Sequence, residues 1–460
     1  MLVSTAMPRS RLVIATAAAV LSAGACSRPE SRAASGDGDS SAARGESAAG
    51  AVAAAPCQGD NGGITLPDGF CATVFADSLG ASRHLVVAEN GDVFVNVQSG
   101  RRGGGNPGIV ALRDTNRDGR ADVVERFGKR GGTGIALHDG WLYQDVGDAI
   151  VRWPVKAGSL TPSGAEETIL TGLPTTGHGA HSIVLDGGTL YVNVGSETNS
   201  CQESDRQNAS PGHDPCTELR TRAGIWKYDA GRTGQRFATD ARFATGIRNA
   251  VGMDMGPGGL WAMQHGRDQL AQNWSKLFTN EQGAELPAEE LLQVNQGDDF
   301  GWPYCYYDGQ KKQLVLAPEY GGDGTKVGRC ADKKGPALAF PAHWAPNGLM
   351  FYDGSMFPAK YRGGAFIAFH GSWNRAPLPQ EGYRVVFAPF TGGRPAGAYE
   401  TFAQATSDAA ASATDGAAST SQSRQPRLRA TGLAQAPDGS LFITDDARGR
   451  IWRVTWGGNK

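Results

Sequence analysis

One phrase recurs along the chain: a Gly-containing turn, then a run with apolar residues at every second position. It appears as AENGDVFVNV (88–97), LHDGWLYQDV (137–146), VLDGGTLYVNVGS (184–196) and GPGGLWAMQHG (256–266). It returns as KYRGGAFIAFHGS (360–372) and APDGSLFITDD (436–446). An Asp-Gly or Gly-Gly pair ahead of a period-two apolar run signals a β-hairpin. Such turns need positive φ, and a strand alternates its side chains between two faces. Several copies are trailed by a further apolar run: AIVRWPV, GIWKYD, YRVVFAPF and RIWRVTW. Long helical periodicity is scarce. Hairpins repeating every few tens of residues predict an all-β fold, a six-bladed β-propeller with one blade per copy. The uneven spacing predicts long inter-strand loops. A pair of β-sandwiches is the alternative.

Two segments fall outside this pattern. Residues 1–26 carry Arg9 and Arg11, a short apolar stretch LVIATAAAVLSA, and AGAC ending at Cys26. This predicts a signal peptide of lipoprotein type with Cys26 lipidated; ordinary secretion is the alternative, because Ala23 stands where such signals usually carry Leu. Residues 27–55 are Ala, Ser, Gly and charge, with little to bury, and predict a disordered tether. The expected location is therefore the periplasm, with the membrane reached only through a lipid anchor. The propeller then occupies 56–460, and the low-complexity stretch 403–427 reads as a flexible insertion.

Composition narrows the chemistry. The 460 residues include 65 Gly and 24 Pro, and the net charge is −2. No basic patch marks a nucleic-acid partner; a small neutral or weakly charged substrate fits better. Besides Cys26, six cysteines form three sequence-local pairs, Cys57 with Cys71, Cys201 with Cys216 and Cys305 with Cys330. Each pair brackets a loop, where a disulfide limits unfolded-chain entropy, and export permits oxidation. Spacing alone does not fix this pairing, and free thiols or a metal site remain the other reading.

Three patterns carry candidate chemistry. In DTNRDGRADVVE, Asp114, Asn116, Asp118, Arg120, Asp122 and Glu125 follow the spacing of a calcium loop around the turn glycine Gly119. The flanks IVALR and VERF read as strands, so a solvated hairpin turn needing no ion is the competing reading. In TTGHGAHSIVL, His178 and His181 sit in a Gly-rich loop entering a strand. A neutral His suits a general base near pH 7; for His181 a loop position without a chemical role is expected. Finally, GIRNAVGM, FHGSWNRAP and RLRATGLAQ place Arg248, Arg375 and Arg429 near strand ends of different copies. Their planar forks suit one carboxylate ligand at the propeller axis, against the reading that each makes a rim salt bridge.

The phrases LPDGF, ALRDTNRDGRAD, GHGAHSIVLDGGTLYVNVGS, GIRNAVGM, GDDFGWPYC, FHGSWNRAP and APDGSLFITDDARGRIWRV occur in one order. From about residue 65 onward the chain resembles the glucose/sorbosone dehydrogenases that use pyrroloquinoline quinone (PQQ), most closely the L-sorbosone-dehydrogenase-like branch. The resemblance implies a six-bladed propeller holding PQQ, which carries three carboxylates and an ortho-quinone, together with Ca²⁺. It implies PQQ binding by Arg248 and Asn249, with Arg429, His370 and Arg375 also at the cofactor. It implies backbone oxygens of Gly266 and Arg267 on the Ca²⁺, with Asp268 beside them, and His178 as catalytic base. The family's amide-bearing loop corresponds here to RGGTGIALHDG, with Thr133 and no amide side chain, which argues against a glucose-specific enzyme.

The function expected is oxidation of a sugar-type alcohol, aldehyde or hemiacetal by hydride transfer to PQQ. An external electron acceptor, a cytochrome or a quinone, is implied, since no CxxCH attaches a haem. The rivals are a non-enzymatic binding propeller on a lipid tether and a lactonase-like metal hydrolase.

Overall fold

The computed structural model describes residues 59–99, 106–406 and 428–458. The expected signal peptide, tether, Cys26 and Cys57 fall outside the described residues.

Six four-stranded antiparallel sheets follow one another along the chain. Blade one is Ala81–Val87, Val93–Gln98, Gly108–Arg113 and Val123–Phe127. Blade two is Ile135–His138, Trp141–Asp145, Ala149–Pro154 and Glu167–Thr171, edged by Gln235–Arg236 in parallel. Blade three is Ile183–Asp186, Thr189–Val194, Gly224–Asp229 and Arg242–Thr245. Blade four is Ala250–Gly256, Gly259–Gln264, Glu289–Val294 and Leu338–Phe340. Blade five is Pro346–Phe351, Ala365–Phe369, Arg384–Ala388 and Glu400–Ala405, edged by Ile64–Thr65. Blade six is Ala430–Gln435, Leu441–Asp445 and Arg450–Trp456, completed by the early strand Phe70–Ala76. The first strands of the six blades touch in a closed ring, and blade six takes its outer strand from near the start of the described chain. Each of the six sequence phrases is the turn between the first and second strands of one blade.

The apolar pattern differs from simple alternation for a physical reason. Each blade lies between two others, so both of its faces are buried. Val93–Val97 and Leu441–Asp445 are buried at every position. Six apolar clusters fill the six blade-to-blade interfaces. Trp226 anchors the layer between blades two and three, Trp261 that between four and five, and Trp452 that between five and six. Burying one such large side chain contributes roughly 1.5–3 kcal/mol.

The first strands crowd at the axis, and glycine makes that possible. A Cβ on Gly348 would lie 2.7 Å from the Thr431 carbonyl oxygen, and one on Gly432 would lie 2.7 Å from that of Arg83. Register shifts at Ser82/Leu85, Ala250/Gly252, Pro346/Gly348 and Ala430/Leu433 kink four first strands at the same end. Such bulges re-aim the side chains beside them.

Two disulfides, Cys201–Cys216 and Cys305–Cys330, form as the local pairing predicts. The expected insertion begins later than the composition suggests. Phe402, Ala403 and Ala405 are buried in the outer strand of blade five, so the low-complexity character starts after that strand. Residues 407–427 fall outside the described residues.

The calcium-like loop is the hairpin between the third and fourth strands of blade one. Its oxygens bond its own backbone: Asp114 accepts from the amides of Asp118 (3.1 Å) and Gly119 (2.8 Å), and Asn116 accepts from Asp118 (3.0 Å). Asp118 accepts from Arg120 (2.9 Å), and Asp122 accepts from the Thr115 amide and hydroxyl. Glu125 lies exposed on the following strand, opposite Ala111. Among the described residues, the only three His, Cys, Asp or Glu ligand atoms lying together belong to Cys201, Cys216 and Glu218. Two of those are sulfurs of a disulfide. The loop is built as a self-bonded turn.

Candidate active site

Antiparallel pairing explains why GIRNAVGM and QHGRD flank one hairpin. Ala250 pairs with Gln264, so the residues just before the first strand and just after the second reach the same end of the blade. The same rule holds in every blade. It brings Arg83 and His84, Thr133, His178, Arg248 and Asn249, His343 and Arg429 to one end of the ring. His265 to Asp268, His370 to Arg375 and Asp445 with Asp446 join them from the second strands.

Arg248 is buried at the centre of a polar network. Its Nε donates to the Asn199 carbonyl (3.1 Å) and its Nη1 to the Gly266 carbonyl (3.0 Å). Its Nη2 donates to Asn199 Oδ1 (3.0 Å) and Asp268 Oδ2 (3.1 Å). Asp268 is also held by Arg206 (3.0 Å) and by Asn374 Nδ2 (3.0 Å). Burial alone raises its pKa, but Arg248 and Arg206 outweigh that and hold the carboxyl well below the usual range. Asn249 is buried beside Asn193 (3.4 Å).

Burial lowers the pKa of four histidines at this end of the ring and favours their neutral forms. For His178 the pKa falls to about 3, from burial and then the Arg248 charge, with Asp268 opposing. For His265 and His84 it falls to about 4, again chiefly by burial, and for His343 it is lowered too. Nδ1 of His178 lies 2.9 Å from the Ser196 carbonyl. A carbonyl only accepts, so Nδ1 carries the proton and Nε2 bears the lone pair. Nε2 has no protein partner among the described residues. Gly195 backs this ring: a Cβ there would lie 2.5 Å from His178 Cβ and 3.0 Å from Asn249 Oδ1.

The other expected residues divide. His181 is fully buried with its nitrogens against the carbonyls of Asn193 (2.8 Å) and Pro174 (3.0 Å), so it pins the loop that presents His178. Arg267 turns away into a buried ion pair with Glu319 (2.5 Å) and a bond to Asn273 (2.8 Å). Arg375 does not converge with Arg248 and Arg429. Its guanidinium binds the carbonyls of Pro379 (3.2 Å), Ala284 (3.1 Å) and Ala342 (3.0 Å), because the loop it sits on folds back over unpaired backbone oxygens. Arg429 stacks over the Tyr383 ring at 5.3 Å and donates from Nη1 to His370 Nδ1 (3.1 Å).

Sequence reasoning missed Arg83, His84, Arg206, Asn374, Asp446 and the buried Glu289, which accepts from the amides of Gly266 (2.8 Å) and Ala345 (3.0 Å). The repeats do not point to the first two: Arg83 and His84 lie at a bulge inside their first strand, Ala81–Val87, whereas Arg248 and Asn249 precede theirs, which begins at Ala250.

The donor set suits an anionic, multiply hydrogen-bonding ligand. Arg248 and Arg206 share the Asp268 carboxylate, and Arg83 pairs with Asp446 beside His370 and Arg429. Burial raises the Glu289 pKa to about 8, which favours its neutral form. Nε and Nη2 of Arg429 have no protein partner among the described residues, and buried Oδ1 of Asn374 has none either.

Comparison with known proteins agrees with this architecture. A PQQ-dependent pyranose dehydrogenase of Coprinopsis cinerea is 24% identical over 355 residues, 71% of this chain and 43% of that protein. The chain spans about half the length or less of the curated relatives it matches. The holo PQQ domain of pyranose dehydrogenase from Coprinopsis cinerea superposes with a TM-score of 0.66 at 19% identity, covering 85% of this chain and 97% of that one. The calcium structure of the Trichoderma reesei carbohydrate-active enzyme family AA12 gives 0.67 at 19% identity, covering 86% and 97%. These likenesses fix the fold and do not reach the narrower sorbosone branch. The TrAA12-like family matches residues 64–457, nearly the whole propeller, and the chain belongs to that family.

Proposed function

We propose that this propeller oxidises a sugar or sugar-derived aldehyde or hemiacetal, aldose- or sorbosone-like, with PQQ and Ca²⁺ as cofactors. One observation carries the reading: His178 presents an unpartnered Nε2 lone pair beside the buried Arg248–Asp268 network, at the end of the ring where the cationic groups gather. When bound, PQQ supplies an ortho-quinone that accepts a hydride.

The residues divide the remaining work. His178 Nε2 takes the substrate hydroxyl proton, with Nδ1–H fixed on Ser196 so that the ring cannot turn. A pKa near 3 makes a poor base, yet Asp268 already opposes that shift. Further negative charge bound in the site raises it toward the working pH. Arg429 and the remaining Nη1–H of Arg248 hold carboxylates and stabilise negative charge that develops during reduction. The carbonyl oxygens of Gly266 and Arg267 would be the ligands this chain offers to Ca²⁺, the Gly266 oxygen being shared with Arg248 Nη1, with the Asp268 and Glu289 carboxylates beside them. Electrons then leave to a cytochrome or a quinone. Export through the N-terminal signal and lipidation of Cys26 place the enzyme on the periplasmic side of a bacterial membrane.

The deciding experiment titrates chelator-stripped protein with PQQ, with and without Ca²⁺, and follows dye reduction over aldoses and sorbosone. Calcium-dependent PQQ binding weakened in Arg248→Ala is expected. Turnover should fall about 10²- to 10⁴-fold in His178→Ala, the range for loss of a general base. Absence of PQQ binding at micromolar concentration rejects the reading in favour of a binding propeller.

A further inference from the structure

His370 was expected to touch the cofactor, yet both of its ring nitrogens are already engaged. Nε2 lies 2.8 Å from Asp446 Oδ1, and Nδ1 lies 3.1 Å from Arg429 Nη1. A guanidinium can only donate, so Nδ1 must be the bare acceptor. The ring proton therefore sits on Nε2 and is donated to Asp446. The other Asp446 oxygen accepts from Arg83 Nη1 (2.8 Å), and Arg83 Nε reaches Thr133 Oγ1 (3.3 Å). Burial raises the Asp446 pKa, but the bonds from His370 and Arg83 outweigh it and hold it at about 2. That carboxylate is thus an anionic acceptor throughout the working range.

The chain Thr133–Arg83–Asp446–His370–Arg429 crosses blades two, one, six and five and returns to six. It ends on a guanidinium packed over Tyr383, whose hydroxyl is fixed on the Ser372 carbonyl (2.5 Å). Nη1 of Arg429 is consumed by His370. Nε and Nη2 stay open, and these two N–H groups form the side edge of the fork that binds a carboxylate bidentately.

We infer that Arg83, Asp446 and His370 form a positioning relay that holds the free edge of Arg429, the cofactor-facing arginine of the resemblance, toward a ligand carboxylate. His370 is a positioning residue and makes no ligand contact. The inference rests on the proposed function for the identity of the ligand, a polycarboxylate of the PQQ type, and on the geometry alone for the relay.

The test is a double-mutant cycle on the dissociation constant of PQQ, measured on the chelator-stripped full chain with Ca²⁺ restored. Arg429→Ala should weaken binding at least tenfold, and His370→Ala several-fold. The double variant should be no weaker than Arg429→Ala, because a relay has nothing left to position. His370→Gln should recover much of the loss, since one amide donates to Asp446 and accepts from Arg429. If His370→Ala weakens binding equally with and without Arg429, the histidine contacts the ligand and the relay is wrong. An unchanged constant in His370→Ala also overturns it. Should His370→Ala fail to fold, Asp446→Asn replaces it in the same cycle. If the unsubstituted protein takes no PQQ, the proposed function falls. The cycle is then read with phthalate, a flat dicarboxylate, and the same coupling is required.

Discussion

At the residue scale, one guanidinium can serve as a ligand arm or as a backbone anchor, and the bonds it makes decide which. Arg429 keeps two N–H groups open, whereas Arg375 spends its donors on three carbonyls. Buried acceptors left without donors cost about 1–3 kcal/mol each. Arg375→Ala should therefore lower the unfolding free energy by at least about 3 kcal/mol in a denaturant titration. The PQQ dissociation constant of the folded fraction should stay unchanged. A selective loss of PQQ affinity without loss of stability would return Arg375 to the ligand. The same reasoning separates two histidines three positions apart. His178 has one nitrogen tied and one open, while His181 has both against carbonyls.

At the scale of the element, the first strands are shaped by proximity to their neighbours. Gly432 lies where a methyl group would meet the Arg83 carbonyl oxygen at 2.7 Å and His84 Cα at 2.9 Å. Both obstacles are backbone, so neither can rotate away. Gly432→Ala should lower stability by about 1–3 kcal/mol, the usual cost of overpacking. It should also weaken PQQ binding, because the strand it pushes carries Arg83 and His84. A melting curve matching the parent protein would show that the ring tolerates a wider axis. The hairpins themselves were legible from the Gly-turn phrases. The bulges were not, since a register shift depends on the partner strand across the sheet.

At the scale of the whole molecule, buried titratable groups set opposing pH dependences. His178, His84 and His265 are depressed to about 3, 4 and 4. The unfolded chain binds more protons there, so their contribution is complete above about pH 6.5 and is lost as pH falls through 4. Asp254, Glu289 and Glu290 are raised by burial to about 7, 8 and 8. Their contribution is complete below about pH 4 and is lost as pH rises through 7 and 8. The melting temperature should be nearly level between about pH 4.5 and 6.5, fall on the acid side, and fall again toward pH 8.5. Glu290 carries an unpartnered Oε2, and Glu290→Gln should flatten the alkaline limb without touching the acid one. An alkaline limb of undiminished slope in that variant would place the titrating groups elsewhere.

The sequence by itself determined the fold class and the six blades, because hairpin turns and apolar runs are local and each repeat states them anew; the cysteine pairing it only suggested, and the fold settled it for Cys201–Cys216 and Cys305–Cys330. It also marked His178, Arg248, Asn249 and Arg429 as residues at strand ends. Only the tertiary structure decided what those ends do. Arg83 and Asp446 stand 363 positions apart and meet because the ring closes through its last blade. Arg375 and Arg429 read alike as letters and part company when carbonyls of distant segments arrive beside one of them. Periodicity records which face of a strand is buried; hydrogen-bond partners across blades are set by closure of the ring, and no local pattern encodes them.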